Sequence, residues 1–194
     1  MSDSSAWPKY PTGPREAIFC IGMMSINFGE LCSVFEYIFS AIFDLDLDGG
    51  RMIVSKIGAD ASIDLATRRL VSGNALVENS DLIQHFLQGY ERCIKNRNQF
   101  LHSELAHIVQ DNAFFVKPSR QGNMIGIIVP IEGLRECADA MKTFSDFGRA
   151  VINANGWATI SEFIENAPNV SPFSLPEKPA LPQPRTFQAG PLPL

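Results

Sequence analysis

Apolar residues recur at intervals of three and four from residue 14 to about residue 43. Ile21, Met24, Phe28, Leu31, Phe35, Ile38 and Ile42 mark one side of a long helix. Further apolar residues widen the stripe beyond one face, as expected of a helix that is central in its fold or also packs in a dimer. Pro14 suits the first helical turn, Glu16 suits the positive end, and "DLDLDGG" stops the run. A second helix is predicted from about Gly50 to Val71, with a break near Gly58 in "GADAS". "SGNALVENS" reads as a turn, and Ser80 is placed to cap a third helix running to about His107. The period then changes. "AFFVKP" and "MIGIIVP", separated by "SRQGN", predict a β-hairpin over about 113–130. Leu134, Ala138, Met141, Phe144, Phe147 and Val151 return to helical spacing, Gly156 ends that helix, and "ATISEFIEN" predicts one more short helix.

The two ends lack such periodicity. Residues 1–13 read as a flexible arm, and residues 167–194 as a proline-rich tail, disordered and rich in polyproline II character. The P-x-x-P spacing at Pro179 and Pro182 would suit an aromatic groove on a protein partner, beside the plainer reading of a flexible tail. Between them, residues 14–166 form one domain, mainly α, expected as an antiparallel helical bundle with a small hairpin appended.

Composition narrows the function. A charged fraction of 19% and a net charge of −5 leave no broad basic surface, so any nucleic-acid contact must be local. Cys20, Cys32, Cys93 and Cys137 are far apart and match no zinc spacing, which points to buried free thiols in a reducing compartment. The longest uncharged run in the apolar first helix is 13 residues, Ala17 to Gly29, short of the roughly 20 a bilayer span needs. The segment before it lacks the layout of a secretory signal. The expectation is a soluble, cytoplasmic protein without a membrane partner.

The stretch "CIKNRNQFLHSEL" sets polar residues into the third helix. At about 100° per residue, Ile83, Leu87, Tyr90, Ile94, Leu101 and Leu105 lie within roughly 40° of one direction. Asn98 falls inside that stripe, where a carboxamide must be hydrogen-bonded. Arg97 and His102 flank it on opposite edges, about 140° apart. One helix would not bring those two heads to a single phosphate, whereas two copies packed face to face would. Lys95 shares an edge with His102 and adds positive potential, partly cancelled by Glu91. His85 and His107 point away from the stripe and read as surface residues.

"RNQFLH" resembles the R-x4-H motif, with a polar residue directly after the Arg, of the HEPN superfamily. The helical setting, "MSINFGELCSVFEYIF" upstream and the hairpin and helix downstream extend the resemblance over roughly residues 15–155. It implies a metal-independent endoribonuclease of the toxin–antitoxin or phage-defence type. Such an enzyme works as a homodimer and needs no cofactor; in this chain the first and third helices are the expected dimer contact. By position, Arg97 would neutralise the scissile phosphate in the transition state. His102 would act as general acid or base for attack by the ribose 2′-OH. Asn98 would hold His102 or the phosphate, Lys95 would assist RNA binding, and Asn27 and Glu30 of the first helix would line the same cleft. RNA and an inhibiting protein or antitoxin are the partners implied.

Two other readings stay open. One is a non-catalytic helical module that dimerises and engages a protein through its tail, with Arg97 and His102 as solvated edge residues and Asn98 as a buried amide tying helices together. The other is a regulatory subunit that binds a nucleotide in the same cleft. Motifs for other chemistries, such as G-x-S-x-G, a phosphate loop or H-E-x-x-H, are missing from the sequence.

Overall fold

A computed structural model describes residues 15–73, 77–101, 103–109, 112–118, 124–157, 175–185 and 189–190. The 1–13 arm, Pro14, the "ATISEFIEN" segment and His102 lie outside the described residues.

Helix α1 spans Arg15–Phe43 and ends as its sequence dictates. Asp44 takes a left-handed φ of 54°, a conformation Asp tolerates. Its N–H bonds to the Ala41 carbonyl at 3.3 Å, and the Leu45 N–H to the Ser40 carbonyl at 2.9 Å. This is a Schellman ending that satisfies the last carbonyls. Asp46 then caps α2 (Leu47–Ile57), its carboxylate accepting from the Gly49 N–H at 2.6 Å. Gly58, at φ 81°, separates α2 from α3 (Ala59–Val71), so the predicted break is a change of helix.

Helix α4, the third helix of the sequence reading, spans Ser80–Leu101. The Asn79 carbonyl accepts from Ile83 N–H at 3.2 Å, which places the cap at Asn79, one residue before the predicted Ser80. The helix also ends earlier than predicted. Glu104–Val109 is strand β1, paired antiparallel to β2 (Asn112–Pro118), so "ELAHIV" is not helical. Its residues fit either period over so short a run, and the neighbouring strand decides between them. The predicted hairpin is β2 and β3 (Met124–Pro130), in register from Asn112↔Pro130 to Pro118↔Met124. Helix α5 follows over Ile131–Ala154. A two-residue strand, β4 (Ala189–Gly190), joins β3 and completes the order β1-β2-β3-β4.

The fold is therefore mainly helical with a small antiparallel sheet. Its core lies between α1, α4 and α5, around Leu31, Phe35 and Ile38, Phe86 and Leu87, and Leu134, Met141 and Phe144, all 2% exposed or less. Close approach is secured by two glycines. A Cβ at Gly89 would overlap the Phe144 ring, and one at Gly148 would overlap Val34 and Phe86. Strands β2 and β3 turn Ala113, Phe115, Ile127 and Val129 inward and leave Met124 and Ile128 exposed.

Helix α1 is long and apolar enough, by length and composition, to cross a bilayer, a test that core helices also pass. Here several of its polar side chains bond to neighbouring helices. Asn27 donates to the Ala138 carbonyl, Glu36 pairs with Arg51, and Glu30 pairs with Lys142 and Arg149.

Residues 175–185 correct the expectation of a disordered tail. They run beside α4, from the Lys178–Asp81 ion pair at 2.9 Å to Arg185, which pairs with Glu136 of α5. Leu181 packs against the core between these ends.

Candidate functional site

The core side of α4 is not centred on Ile94. Leu82, Phe86 and Cys93 are buried together with Ile83, Leu87, Tyr90 and Ile94, which moves the centre of the buried stripe by roughly 50°. That rotation exchanges the roles of two neighbours. Arg97 turns inward and is half-buried, while Asn98 lies on the exposed edge. The expectation that Asn98 is a core carboxamide is therefore corrected. The buried carboxamide is Asn96, 5% exposed because residues 183–185 cover it.

The Arg97 guanidinium sits over the Phe28 ring of α1, 4.0 Å from its centre. Its Nη1 donates to the Asn98 Oδ1 at 3.2 Å, a contact at the exposed end of the side chain. Its Nε is buried and without a hydrogen-bond partner among the described residues, and no described carboxylate lies within ion-pair distance. Burial pulls the guanidinium below its ordinary pKa, partly offset by Cys32 and Tyr90 nearby. An arginine lowered from so high an ordinary range stays charged at neutral pH. Tyr90 stacks on Phe35 at 4.3 Å and donates to the Cys32 Sγ at 3.6 Å, so a packed aromatic wall backs the cation. Burial raises both the Tyr90 phenol and the Cys32 thiol, which keeps them neutral beside it.

The remaining predicted site residues separate into groups. His102 lies outside the described residues. Lys95 is exposed and paired with Glu91 at 2.5 Å, an i,i+4 pair weak enough for a phosphate to displace. Asn27 and Glu30 do not join Arg97. Asn27 is buried, with its amide 2.9 Å from the Ala138 carbonyl, and Glu30 holds Lys142 and Arg149 at 3.3 Å. On the α1 wheel both lie about 100° or more from Phe28, so they fasten the α1–α5 seam. His85 is not a plain surface residue either. It is half-buried, its ring 5.6 Å from Phe147 and 5.9 Å from Phe144, and its Nε2 is 2.7 Å from the Pro179 carbonyl. His107 lies in β1 with its side chain outside the described residues.

Phe28 and Asn96 carry roles the sequence reading did not assign. A wheel that included Leu82, Phe86 and Cys93 would have turned Arg97 toward α1. Asn96 has no such signal, because its burial depends on a tail more than 80 residues further along the chain.

Cys20, Cys93 and Cys137 are buried and Cys32 is half-buried, all as free thiols. Burial pushes Cys93 up to about 12 and Cys137 up to about 11, so neither is a nucleophile at neutral pH. Among the described residues, no group of three or more His, Cys, Asp or Glu side chains could hold a metal.

Comparison with protein-family models, curated proteins and solved structures finds no match.

Proposed function

We propose that this chain is a cytoplasmic, metal-independent endoribonuclease of the HEPN type, a bundle acting as a homodimer in toxin–antitoxin or phage-defence settings. One observation carries the reading. Arg97 is a half-buried cation with an aromatic floor, no described counter-ion and its outer edge at the surface. A cation held that way accepts an anion with less competition from water than an exposed arginine does. A phosphodiester oxygen supplies that anion, and developing charge in the transition state strengthens the contact. His102, five residues further on, is the general acid or base of this reading, and Asn98 accepts a hydrogen bond from the guanidinium. Lys95 attracts the backbone of the RNA.

The second copy docks on α1. Gly22 and Gly29 have open space where a side chain would be, and Ile18, Phe19 and Ile26 are 43%, 68% and 59% exposed. On the wheel this face spans about 80° to 180° from Phe28, with Ile18 at its nearer edge.

The test is cleavage of labelled RNA oligonucleotides in the presence of a chelator, after removal of any co-purified inhibitor. The expected products end in 2′,3′-cyclic phosphate. Arg97→Ala and His102→Ala should each abolish cleavage while retaining the helical signal and melting midpoint. Intact RNA across varied sequences with wild-type protein overturns the reading.

A further inference from the structure

The tail segment 175–185 is held by a ladder of side chains along one line of α4. His85 Nε2 meets the Pro179 carbonyl at 2.7 Å, and Arg92 Nη1 donates to the Pro182 carbonyl at 3.1 Å. Asn96 Nδ2 donates to the Gln183 carbonyl at 3.0 Å, and Gln99 Nε2 donates to the Arg185 carbonyl. Positions 85, 92, 96 and 99 fall within roughly 60° on the helix, a stripe about opposite Ile94. Along α4, 14 residues at about 1.5 Å each cover roughly 21 Å between the first and last rung. The strap covers the same distance in six residue steps, roughly 3.5 Å each, which is near full extension.

What the ladder reads is main chain. Proline lacks an N–H, so a proline-rich extended segment offers mostly carbonyls, and all four rungs are donors to carbonyls. Asn96 does more: its Oδ1 also accepts the Arg185 N–H at 3.1 Å, so one carboxamide engages the strap backbone in both directions. Side-chain identity matters chiefly at the ends. Lys178 pairs with Asp81 at the start of α4, and Arg185 pairs with Glu136 near the start of α5. Between them Leu181 packs against the core and Pro179 and Pro182 are half-buried, beside the polar rungs. Extended backbone read by donors, with charge clamps at both ends, is how a peptide-binding groove engages a ligand.

We propose that this stripe of α4 is a binding site for extended proline-rich peptides with basic residues seven positions apart, and that residues 175–185 are its tethered, exchangeable occupant. The proposal is independent of RNA cleavage. Tethering raises the effective concentration of the tail, so the intact chain excludes a competing peptide until its own tail is weakened or cut.

The test inserts a specific protease site into the full chain between residues 164 and 170 and uses a fluorescent peptide spanning residues 174–190 as probe. After cleavage, the labelled peptide should replace the native fragment and be displaced by unlabelled peptide. Arg92→Ala and Asn96→Ala should each weaken its binding about tenfold, as loss of a hydrogen bond to a charged or buried partner does. A probe with both basic residues changed to Glu should not bind. In the uncut chain, the pair Lys178→Glu and Arg185→Glu should admit the probe that wild type excludes. The proposal is overturned if the cut fragment never exchanges, if cutting unfolds the helices, or if the uncut double variant still excludes the probe.

Discussion

Phe28 of α1 and Arg97 of α4 are joined ring to cation, the guanidinium carbon 4.0 Å from the ring centre. The contact does two things for the proposed site. It fixes a long side chain that would otherwise lose rotamer freedom on binding, and it shields one face of the cation from water.

Phe28→Leu keeps an apolar side chain under Arg97 but removes the ring face. A cation–π contact of this kind contributes about 1 kcal/mol, so kcat/KM for RNA cleavage should fall about fivefold to tenfold. Phe28→Tyr should retain most activity because it keeps the ring. Cleavage kinetics together with thermal melting separate this from a folding defect, since both variants should melt within a few degrees of wild type.

Asn96 and Asn98 make opposite predictions. Asn98 is exposed, so Asn98→Ala should change stability by no more than about 0.5 kcal/mol. Asn96 is 5% exposed and bonds both to the Gln183 carbonyl and to the Arg185 N–H. Asn96→Ala should cost about 2 kcal/mol, because both partners lose a bond where water is scarce. Urea unfolding of the two variants checks the difference.

That pair also shows how much of the structure was legible in the sequence. The long α1, the break at Gly58, the β2–β3 hairpin and α5 follow from local signals: apolar period, a glycine in a left-handed turn, two alternating runs. Positions set by distant chain were not legible. β1 exists because β2 pairs with it, and Asn96 is buried because the tail crosses it. The tail itself lacks the apolar period that would have predicted docking, since donors on α4 hold it by its carbonyls. The orientation of Arg97 was readable in principle, but it depended on counting every apolar residue of α4.

Alkaline pH should destabilise the fold through its buried thiols. Cys93 and Cys137 are raised from the model-peptide value of 9.0 to about 12 and about 11. Above pH 9 the unfolded thiols lose protons that the folded ones keep. Unfolding therefore releases protons, and stability falls as pH rises. The contribution is fully present below about pH 9 and is lost through about pH 11 for Cys137 and about pH 12 for Cys93. Two such groups give a slope of at most about 2.7 kcal/mol per pH unit between 9 and 11. Denaturant unfolding under reducing conditions at stepped pH measures it, and Cys93→Ala with Cys137→Ala should flatten the slope while lowering stability at pH 7.

Four glycines separate packing inside the subunit from packing between subunits. A Cβ at Gly89 would overlap Phe144, and one at Gly148 would overlap Val34 and Phe86. Alanine at either position should therefore cost about 1–3 kcal/mol by overpacking. Gly22 and Gly29 meet nothing within 4 Å, so alanine there should stabilise the isolated helix by up to about 1 kcal/mol. In the proposed dimer the same two positions lie on the α1 face that meets the second copy, where an added methyl group holds the helices apart. Gly22→Ala with Gly29→Ala should then raise the melting midpoint of dilute, monomeric protein and weaken dimerisation at least tenfold. Sedimentation equilibrium over a concentration series measures the second effect. A dimer of unchanged affinity would place the subunit contact elsewhere than on this face of α1, because two methyl groups cannot enter a close helix–helix contact without moving it.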